Sequence, residues 1–394
     1  MKDEYKTSEI FSRNLFKGFL VGFYFIILVS LFLIIACSVN SYNNPLKNTT
    51  EAHPFSNTTD QLPTGLKHIT IDSAAQLEHE VKNANKNNGY VSLDIEDGVY
   101  QLDKTLAIKA DHIALISISG HPENVILQGS MIKNAGTPVL IKVFSNHFSI
   151  DGITLQNAKF HLIQIAGEHN ADYPVIRNCI LQDAYQQLFK VTHGSADPKT
   201  FSDFGLIENC TFQYYAGIGP NFYIGGIDAH GINGWVIRNN KFKDIASPGK
   251  RVAEHAIHIW DDSNDNLVEN NLIEDCDRGI GFGMGKAGIS PNASYSNKGG
   301  VIRNNTIIHS DNNDPFADAG ITLEDSADTL IENNRILLEH NYPNAIEYRF
   351  QSTKNVVIKN NITNKNIVSR NGAKAKLSNN KTNAKPEDIL GNSL

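Results

Sequence analysis

Short apolar runs alternate with polar turns at a nearly constant interval over the second half of the chain. Seven of these runs end in a charged residue followed by Asn, and the first Asn of each run recurs every 27 to 34 residues. A repeat of this length is typical of a solenoid, in which each coil buries its apolar face against its neighbours. The runs are short and rich in Val and Ile, which predicts strands and therefore a parallel β-helix. The repeated residues are Asn178, Asn209, Asn239, Asn270, Asn304, Asn333 and Asn360.

The turn after each of these strands predicts contacts between successive coils. Stacked Asn side chains hydrogen-bond to one another and to the backbone, so we expect an Asn ladder along the helix. Cys179 and Cys210 hold the same register in adjacent coils. They should therefore lie about one strand spacing apart, roughly 4.8 Å. Two arrangements fit this spacing: a disulfide, or stacked buried thiols that replace two Asn side chains.

A second strand precedes each Asn turn and predicts a row of polar side chains on the outside of the helix. Because side chains alternate between the faces of a strand, the third and fifth residues of each segment point outward. Insertions occur at both ends of these strands, so loops should wall a groove above this row, which we call the polar stripe. Its third positions are Gln164, Lys190, Asp228, His258, Gly281, Thr322 and Glu347, and its fifth positions are Ala166, Thr192, His230, Trp260, Gly283, Glu324 and Arg349.

The start of the repeated region has an amphipathic helix. Asp72 or Ser73 is a suitable N-cap, and Leu77 and Val81 fall on one face. A turn into a strand, Asp97-Gly-Val-Tyr, follows. This order resembles the N-terminal end of the pectate-lyase-like superfamily, in which a helix covers the first coil. The resemblance implies an all-β, right-handed, single-stranded parallel β-helix over residues 66–365, with residues 366–394 as a cap remnant or a disordered tail.

The N-terminus has the features of an export signal. Residues 1–37 contain a basic start, an uncharged run from Gly18 to Ala36, and then Cys37. The junction resembles the lipobox of bacterial lipoproteins, in which the Cys is lipidated. The run is also long enough to be an uncleaved membrane anchor. Both readings predict a bacterial envelope protein tethered to a membrane, at the outer membrane or cell surface. Residues 38–65, rich in Asn, Thr, Ser and Pro, predict a flexible linker.

The net charge of the chain bears on which molecules it can bind. The formal net charge of −7 gives no indication of a nucleic-acid partner, and we expect a monomer. The segment from Asp261 to Asp265 contains three acidic residues and one Asn. It is either a polar turn or a calcium site with oxygen ligands. No other cofactor is predicted.

The polar stripe contains residue types that act on acidic sugars. Asp228-Ala-His230-Gly resembles the Asp-Pro-His-Asp motif of alginate epimerases, with Ala and Gly at the second and fourth positions. Removing a proton next to a carboxylate requires a cation for that carboxylate, a base, and an acid at the leaving oxygen. We therefore expect Arg278 to bind the substrate carboxylate. His258 and His230 would share the proton transfer, and Asp228 would orient one of them.

The predicted function is that of a polysaccharide lyase or uronate epimerase that acts on an acidic polysaccharide. Two alternatives remain open at this point: a non-catalytic glycan-binding or adhesin-like β-helix, and a glycoside hydrolase with paired carboxylates. The further candidates for substrate binding are Lys190, His255, Trp260, Tyr223, Glu324 and Arg349.

Overall fold

The computed structural model describes most of the chain after the predicted linker. The described residues are 65–130, 137–194, 200–215, 219–249, 251–285, 293–314 and 316–391. The predicted signal or anchor, the lipidation site Cys37 and nearly all of the linker lie outside them. Within these ranges, no helix has the length and apolar character needed to cross a membrane.

Parallel strands form four stacked sheets in the described residues, and successive coils run through sheet A, sheet B and sheet C in turn. Sheet A contains Lys67–Ile71, Val91–Ile95, Ile113–Ser117, Ser149–Asp151, Val175–Arg177, Leu206–Glu208, Val236–Arg238, Leu267–Glu269, Val301–Arg303, Leu330–Glu332, Val356–Lys359 and Ala375–Ser378. Sheet B contains Gly98–Leu102, Val125–Gly129, Thr154–Ala158, Ile180–Ala184, Thr211–Gln213, Lys241–Lys243, Leu272–Glu274, Thr306–His309, Arg335–Leu338 and Ile362–Thr363.

Sheet C carries the strands that were predicted upstream of the Asn turns. It contains Leu106–Ile108, Val139–Val143, His161–Ala166, Gln187–Thr192, Gly225–His230, Ile257–Trp260, Ile280–Phe282, Ile321–Glu324, Asn344–Arg349 and Asn366–Arg370. The short sheet D contains Ser202–Asp203, Ile232–Asn233, Ser263–Asn264, Asn297–Lys298 and Ser326–Ala327. A 3-10 turn spans Gly167–His169. The predicted parallel β-helix is confirmed.

The coils continue beyond the predicted end at residue 365. Asn366–Arg370 extends sheet C, and Ala375–Ser378 pairs in parallel with Val356–Lys359 of sheet A. A short helix, α2 (Pro386–Leu390), follows, and its buried Ile389 packs with Leu337 and Ala384. The predicted C-terminal segment therefore supplies a further coil and a covering helix.

The interior of the helix is a continuous apolar stack. The inward residues of sheet C include a row of fully buried side chains, one from each coil, and Phe212 stacks on Phe242 of the next coil at 4.7 Å between ring centroids. Each fully buried side chain of this size contributes about 1.5–3 kcal/mol, so stability comes from contacts between neighbouring coils. The row in sheet C is Ile163, Phe189, Ile227, Ile257, Ile280, Ile321 and Ile346.

The Asn ladder is formed by the second Asn of each repeated pair. Asn271 Oδ1 accepts from the backbone N–H and from Nδ2 of Asn240, both at 3.0 Å, and the same pattern recurs in later coils. The first Asn of each pair takes a left-handed conformation, as at Asn270 with φ 56°, which Asn tolerates better than most residues. Cys179 and Cys210 occupy the ladder position in earlier coils as buried free thiols, with the Cys179 N–H donating to Cys210 Sγ at 3.4 Å.

The predicted helix at the start is α1 (Ala74–Lys86). Ser73 is its N-cap, and the Ser73 Oγ accepts from the Gln76 N–H at 3.4 Å. Leu77, Val81 and Ala84 are buried against the first coil. The amphipathic pattern therefore predicted both the helix and the face that it buries.

Candidate functional site

The polar stripe has the predicted register on sheet C. Lys190 pairs with Asp228, Asp228 with His258, and His258 with Gly281 in successive strands. The row continues through Thr322 to Glu347. Among the fifth positions of the stripe, His230 pairs with Trp260, and Glu324 pairs with Arg349.

Asp228 is the centre of a buried polar cluster. The Lys190 ammonium contacts Asp228 Oδ2 and donates to His230 Nε2 at 2.6 Å. The Trp260 indole N–H donates to Asp228 Oδ1 at 2.7 Å, and His230 Nε2 lies 3.3 Å from the same oxygen. Burial raises the pKa of Asp228, but Lys190, His230 and His258 outweigh burial and hold that pKa well below its usual range. Asp228 is therefore an ionised partner of Lys190 and not a proton donor.

His258 is oriented by a backbone carbonyl. Its Nε2 lies 3.1 Å from Gly283 O, and because a carbonyl only accepts, Nε2 carries the proton in the neutral ring. Its Nδ1 lies 3.9 Å from Glu254 Oε2 and 4.0 Å from Asp228 Oδ1, both beyond hydrogen-bond length. Burial lowers the pKa of His258 to about 4. His230 Nε2 accepts from the Lys190 ammonium, so it cannot also donate to Asp228, and the prediction that Asp228 orients one histidine has no hydrogen bond behind it. Gly283 orients His258 instead.

Two glycines make room for this arrangement. A Cβ on Gly281 would lie 2.8 Å from His255 Nε2, so the His255 ring covers Gly281 where a side chain of the next coil would otherwise stand. A Cβ on Gly283 would lie 1.8 Å from Glu324 O, and its φ of +81° also favours glycine. These glycines therefore permit a close approach of the backbone and of an imidazole ring.

His255 is buried beside His258. It is 7% exposed, and the two ring centroids are 4.5 Å apart. Its Nδ1 is buried and has no hydrogen-bond partner among the described residues. Burial, together with His258 and Arg278, holds the pKa of His255 well below its usual range. Two neutral imidazole rings thus lie side by side next to sheet C.

A cavity of about 200 Å³ opens beside these histidines. Arg278 Nε lies 3.4 Å from Asp318 Oδ2, with both side chains more than a quarter exposed. Arg349 contacts Glu324, and Arg370 Nη1 lies 2.7 Å from Glu347 Oε2. The cavity thus combines three cations with several carboxylates. It is lined by Glu254, His255, His258, Arg278, Gly283, Met284, Asp318, Thr322, Glu324, Tyr342, Glu347, Arg349 and Arg370.

Two carboxyl groups that line the cavity have raised pKa values, which favour their protonated forms. Burial raises the pKa of Glu254, although Arg278 opposes the shift. Burial likewise raises the pKa of Glu324 against the effect of Arg349. Glu347 shows the opposite behaviour, because hydrogen bonds from Tyr342, Asn344 and Arg370 outweigh burial and lower its pKa. Glu254 and Glu324 are therefore the carboxyls best suited to deliver a proton.

The other predicted site residues have different surroundings. Lys190 is buried with Asp228. Trp260 stacks against His258 with ring centroids 5.6 Å apart. Tyr223 is 45% exposed and does not line the cavity. In the segment from Asp261 to Asp265, Asp261 Oδ2 lies 3.4 Å from His193 Nδ1. Within the described residues, the one group of three potential metal ligands that come within 4.8 Å of one another is Glu254, His255 and His258.

Eight residues that line the cavity were not predicted as site residues; three of them, Gly283, Thr322 and Glu347, belong to the polar stripe, and Met284 directly follows Gly283. Glu254, Asp318 and Tyr342 lie in segments that precede sheet C strands, outside the strand alternation. Arg370 comes from the coil beyond residue 365. Glu254 and Asp318 could have been found from the insertions that precede their strands. An insertion indicates a loop, however, and does not give the direction of its side chains.

A larger cavity of about 530 Å³ lies where sheet B strands end. It is lined by acidic and aromatic side chains that include Asp275, Asp314 and Phe316, together with His309. His309 Nε2 lies 3.1 Å from Asp314 Oδ2. No residue predicted from the polar stripe reaches this cavity, so the stripe points to the smaller one.

Comparisons with known proteins agree with the fold. Residues 201–386 match the family model for the right handed beta helix region, and the fold is a right-handed parallel β-helix, as predicted. No curated protein sequence matches the chain.

Several solved structures are similar in fold. An alginate lyase from Paenibacillus sp. str. FPU-7 has 16% identity and a TM-score of 0.51, over 80% of this chain and 99% of that chain. A mannuronic acid specific polysaccharide family 6 lyase from human gut microbiota has 12% identity and a TM-score of 0.47, over 82% and 84% of the two chains. The surface adhesin PfbA of Streptococcus pneumoniae has 13% identity and a TM-score of 0.44, over 79% and 89%.

Proposed function

We propose that this protein acts on an acidic, uronic-acid polysaccharide by β-elimination or by epimerisation, in the groove above sheet C. The observation that carries the proposal is the shared cavity of Arg278 and His258. A cation that holds a carboxylate and a neutral imidazole that accepts a proton are the two groups that this chemistry requires. An alginate lyase has a similar fold, but one fold hosts many chemistries, so the proposal rests on the cavity residues.

Arg278 binds the substrate carboxylate in this proposal. Its contact with Asp318 is the longest of the three arginine pairs in the cavity, at 3.4 Å, and both partners are partly exposed. A uronate carboxylate can replace Asp318 on the planar guanidinium, with two parallel hydrogen bonds. Binding to Arg278 neutralises the carboxylate and so stabilises the negative charge that develops when the adjacent carbon loses its proton.

His258 accepts that proton on Nδ1, the nitrogen left unprotonated by the contact between Nε2 and Gly283. In β-elimination, the C5–H bond and the C4–O bond break, the C4=C5 double bond forms, and a proton goes to the leaving oxygen. The raised pKa of Glu254 or Glu324 suits either of them to supply that proton. In epimerisation, His258 keeps the proton that it has taken, Glu254 or Glu324 delivers a different proton to C5 from the opposite face, and the C4–O bond stays intact.

The first test is the activity of the full chain, solubilised in mild detergent, on a panel of uronic-acid polysaccharides. An elimination product contains a conjugated double bond, so ultraviolet absorbance rises. Epimerisation is detected by NMR of the sugar residues. We expect His258→Gln to lower the rate about 10²–10⁴-fold, and Arg278→Gln to lower kcat/KM by about 10²-fold or more.

Arg303→Gln is the matched control. Arg303 also pairs with a carboxylate, with 2.7 Å between its Nη2 and Glu269 Oε2, but it lies on sheet A and not on sheet C. This variant should retain full activity. Activity that survives in both His258→Gln and Arg278→Gln would contradict the assignment. Release of reducing ends without absorbance would favour a hydrolase, and binding without any product would favour a glycan-binding protein.

We also propose that the β-helix is tethered outside the cytoplasmic membrane through Cys37. The proposal rests on the basic start, the uncharged run and the Cys that follows it. When the chain is expressed in bacteria fed a labelled fatty acid, we expect label on the wild-type chain and none on Cys37→Ser. Unlabelled wild-type chain that stays in the membrane fraction would indicate the anchor instead.

A further inference from the structure

We propose that Glu254, His255 and His258 form a binding site for a divalent transition-metal ion of the Zn²⁺ class, and that the bound ion competes with proton acceptance by His258. The three residues each offer a ligand atom within 4.8 Å of the others. The metal site itself does not depend on the proposed reaction, and only the competition rests on it.

The geometry of His258 leaves Nδ1 as a ligand atom. Metal-binding histidines usually donate their other ring N–H to a carbonyl or carboxylate, which fixes the ring and its tautomer. The contact between His258 Nε2 and Gly283 O provides this arrangement at 3.1 Å. The lone pair on Nδ1 then faces Glu254 Oε2 at 3.9 Å and Asp228 Oδ1 at 4.0 Å. A cation placed between this lone pair and the Glu254 carboxylate would attract both.

His255 provides a second observation that supports a bound ion, independent of the geometry of His258. It is more than nine-tenths buried, and its Nδ1 has no hydrogen-bond partner among the residues that the structure describes. A buried polar nitrogen without a partner costs free energy, about 1–3 kcal/mol. Its ring is held above Gly281, 4.5 Å from the His258 ring. An ion bound at Nδ1 would remove this cost.

The donor set selects the class of ion. Two imidazole nitrogens and one carboxylate suit zinc and its neighbours, whereas calcium and magnesium prefer oxygen ligands. Ligand atoms around a tetrahedral zinc ion lie about 3.3–3.4 Å apart, from bond lengths near 2.0–2.1 Å. The separation of 3.9 Å between His258 Nδ1 and Glu254 Oε2 needs only a small rotation of the partly exposed Glu254 side chain. The remaining coordination position would face the cavity.

The test uses the full chain in detergent, stripped with a chelator and then dialysed. Isothermal titration with Zn²⁺ should show one site, and Co²⁺ should give the intense visible absorption of a tetrahedral complex. Ca²⁺ should give no heat at the same concentrations. His255→Ala and Glu254→Gln should each weaken Zn²⁺ binding at least about 100-fold, since loss of an outer partner alone costs 10–100-fold. Gly281→Ala should also weaken binding, because its Cβ displaces the His255 ring.

His121→Ala is the matched control, since His121 is exposed and remote in sequence from the site. It should bind Zn²⁺ as tightly as the wild type. If His255→Ala fails to fold, Glu254→Gln keeps the test decisive, because that change preserves shape at a partly exposed position. Equal Zn²⁺ affinity in the wild type and Glu254→Gln, or the absence of a one-site titration, would overturn the metal site.

An activity measurement tests the competition separately. If the chain processes a polysaccharide, Zn²⁺ at its own Kd should halve the initial rate. An unchanged or higher rate at saturating Zn²⁺ would overturn the competition and leave the site intact. A chain without polysaccharide activity that still titrates with Zn²⁺ would contradict the proposed function alone.

Discussion

The Lys190 ammonium depends on one buried carboxylate. Asp228 is 5% exposed and Lys190 is 9% exposed, and they contact each other directly. Asp228→Asn keeps the shape of the side chain but leaves Lys190 without its counter-ion. Breaking a buried pair in this way costs about 3–5 kcal/mol. We expect urea unfolding of Asp228→Asn to show a loss of that size in the free energy of unfolding.

The matched control removes both charges. Replacing a buried ion pair with apolar residues of similar volume is often neutral or stabilising. The double variant Lys190→Met with Asp228→Leu should therefore recover more than half of the loss seen in Asp228→Asn. A double variant that unfolds as easily as the single one would mean that hydrogen bonds to Trp260 and His230, and not the charge, hold this cluster together.

His258 makes stability depend on pH. Its ordinary pKa is 6.5, and burial lowers the pKa in the folded chain to about 4. Between these values the unfolded chain binds a proton that the folded chain does not, so stability falls as the pH is lowered from 6.5 to 4. The slope in this window is at most about 1.4 kcal/mol per pH unit. Urea midpoints measured across the window should show this fall.

His258→Gln should flatten the pH dependence, because Gln does not titrate. His79→Gln is the control, since the side chain of His79 is 68% exposed on α1. The control should keep the slope of the wild type. An unchanged slope in His258→Gln would assign the pH dependence to other buried groups, such as His161, whose pKa burial also lowers to about 4.

At the scale of the structural elements, the Asn ladder joins coils through buried hydrogen bonds. Asn271 accepts twice from Asn240 and donates to Ile237 O and Asn305 Oδ1, all at 3.0 Å. Asn271→Ala leaves several of these groups without partners inside the helix. Each buried group left unsatisfied costs about 1–3 kcal/mol, so we expect a loss of about 3 kcal/mol or more in urea unfolding.

The adjacent residue provides the control for this ladder. Asn270 is exposed and has φ 56°. Gly adopts that conformation without strain, so Asn270→Gly should change the free energy of unfolding by about 0.5 kcal/mol or less. Similar losses from both variants would show that the turn conformation matters as much as the buried ladder.

The sequence predicted the strands of sheet C and their register because each coil repeats one pattern. Asp228 and His258 could be placed on neighbouring strands from alternation and repeat length alone. The partner of His258 could not be predicted this way, because Gly283 contributes a backbone carbonyl and leaves no side-chain signal. The role of Gly281 depends on where the His255 ring lies, and that position is set by packing between coils.

For the whole molecule, the open end of the first coil is the exposed edge that needs protection. Unpaired strand edges and uncovered apolar cores promote association with other chains. α1 covers this end through Leu77, which is fully buried, and through Asn85. Asn85 Nδ2 donates to Ala107 O at 2.7 Å, and its Oδ1 accepts from Lys109 N at 2.8 Å. The helix thus satisfies backbone groups along the first strand of sheet C as well as covering the core.

Leu77→Asp should detach α1 from the first coil while the remaining coils stay folded, because each coil of a solenoid is stabilised mainly by its neighbours. We expect light scattering to rise with protein concentration and the far-ultraviolet signal of the strands to persist. Lys82→Asp is the control, since Lys82 lies on the exposed side of the same helix. It should remain dispersed. If Leu77→Asp stays dispersed with α1 detached, the edge of the first coil would be protected by its own strand, Lys67–Ile71, and the helix would serve stability alone.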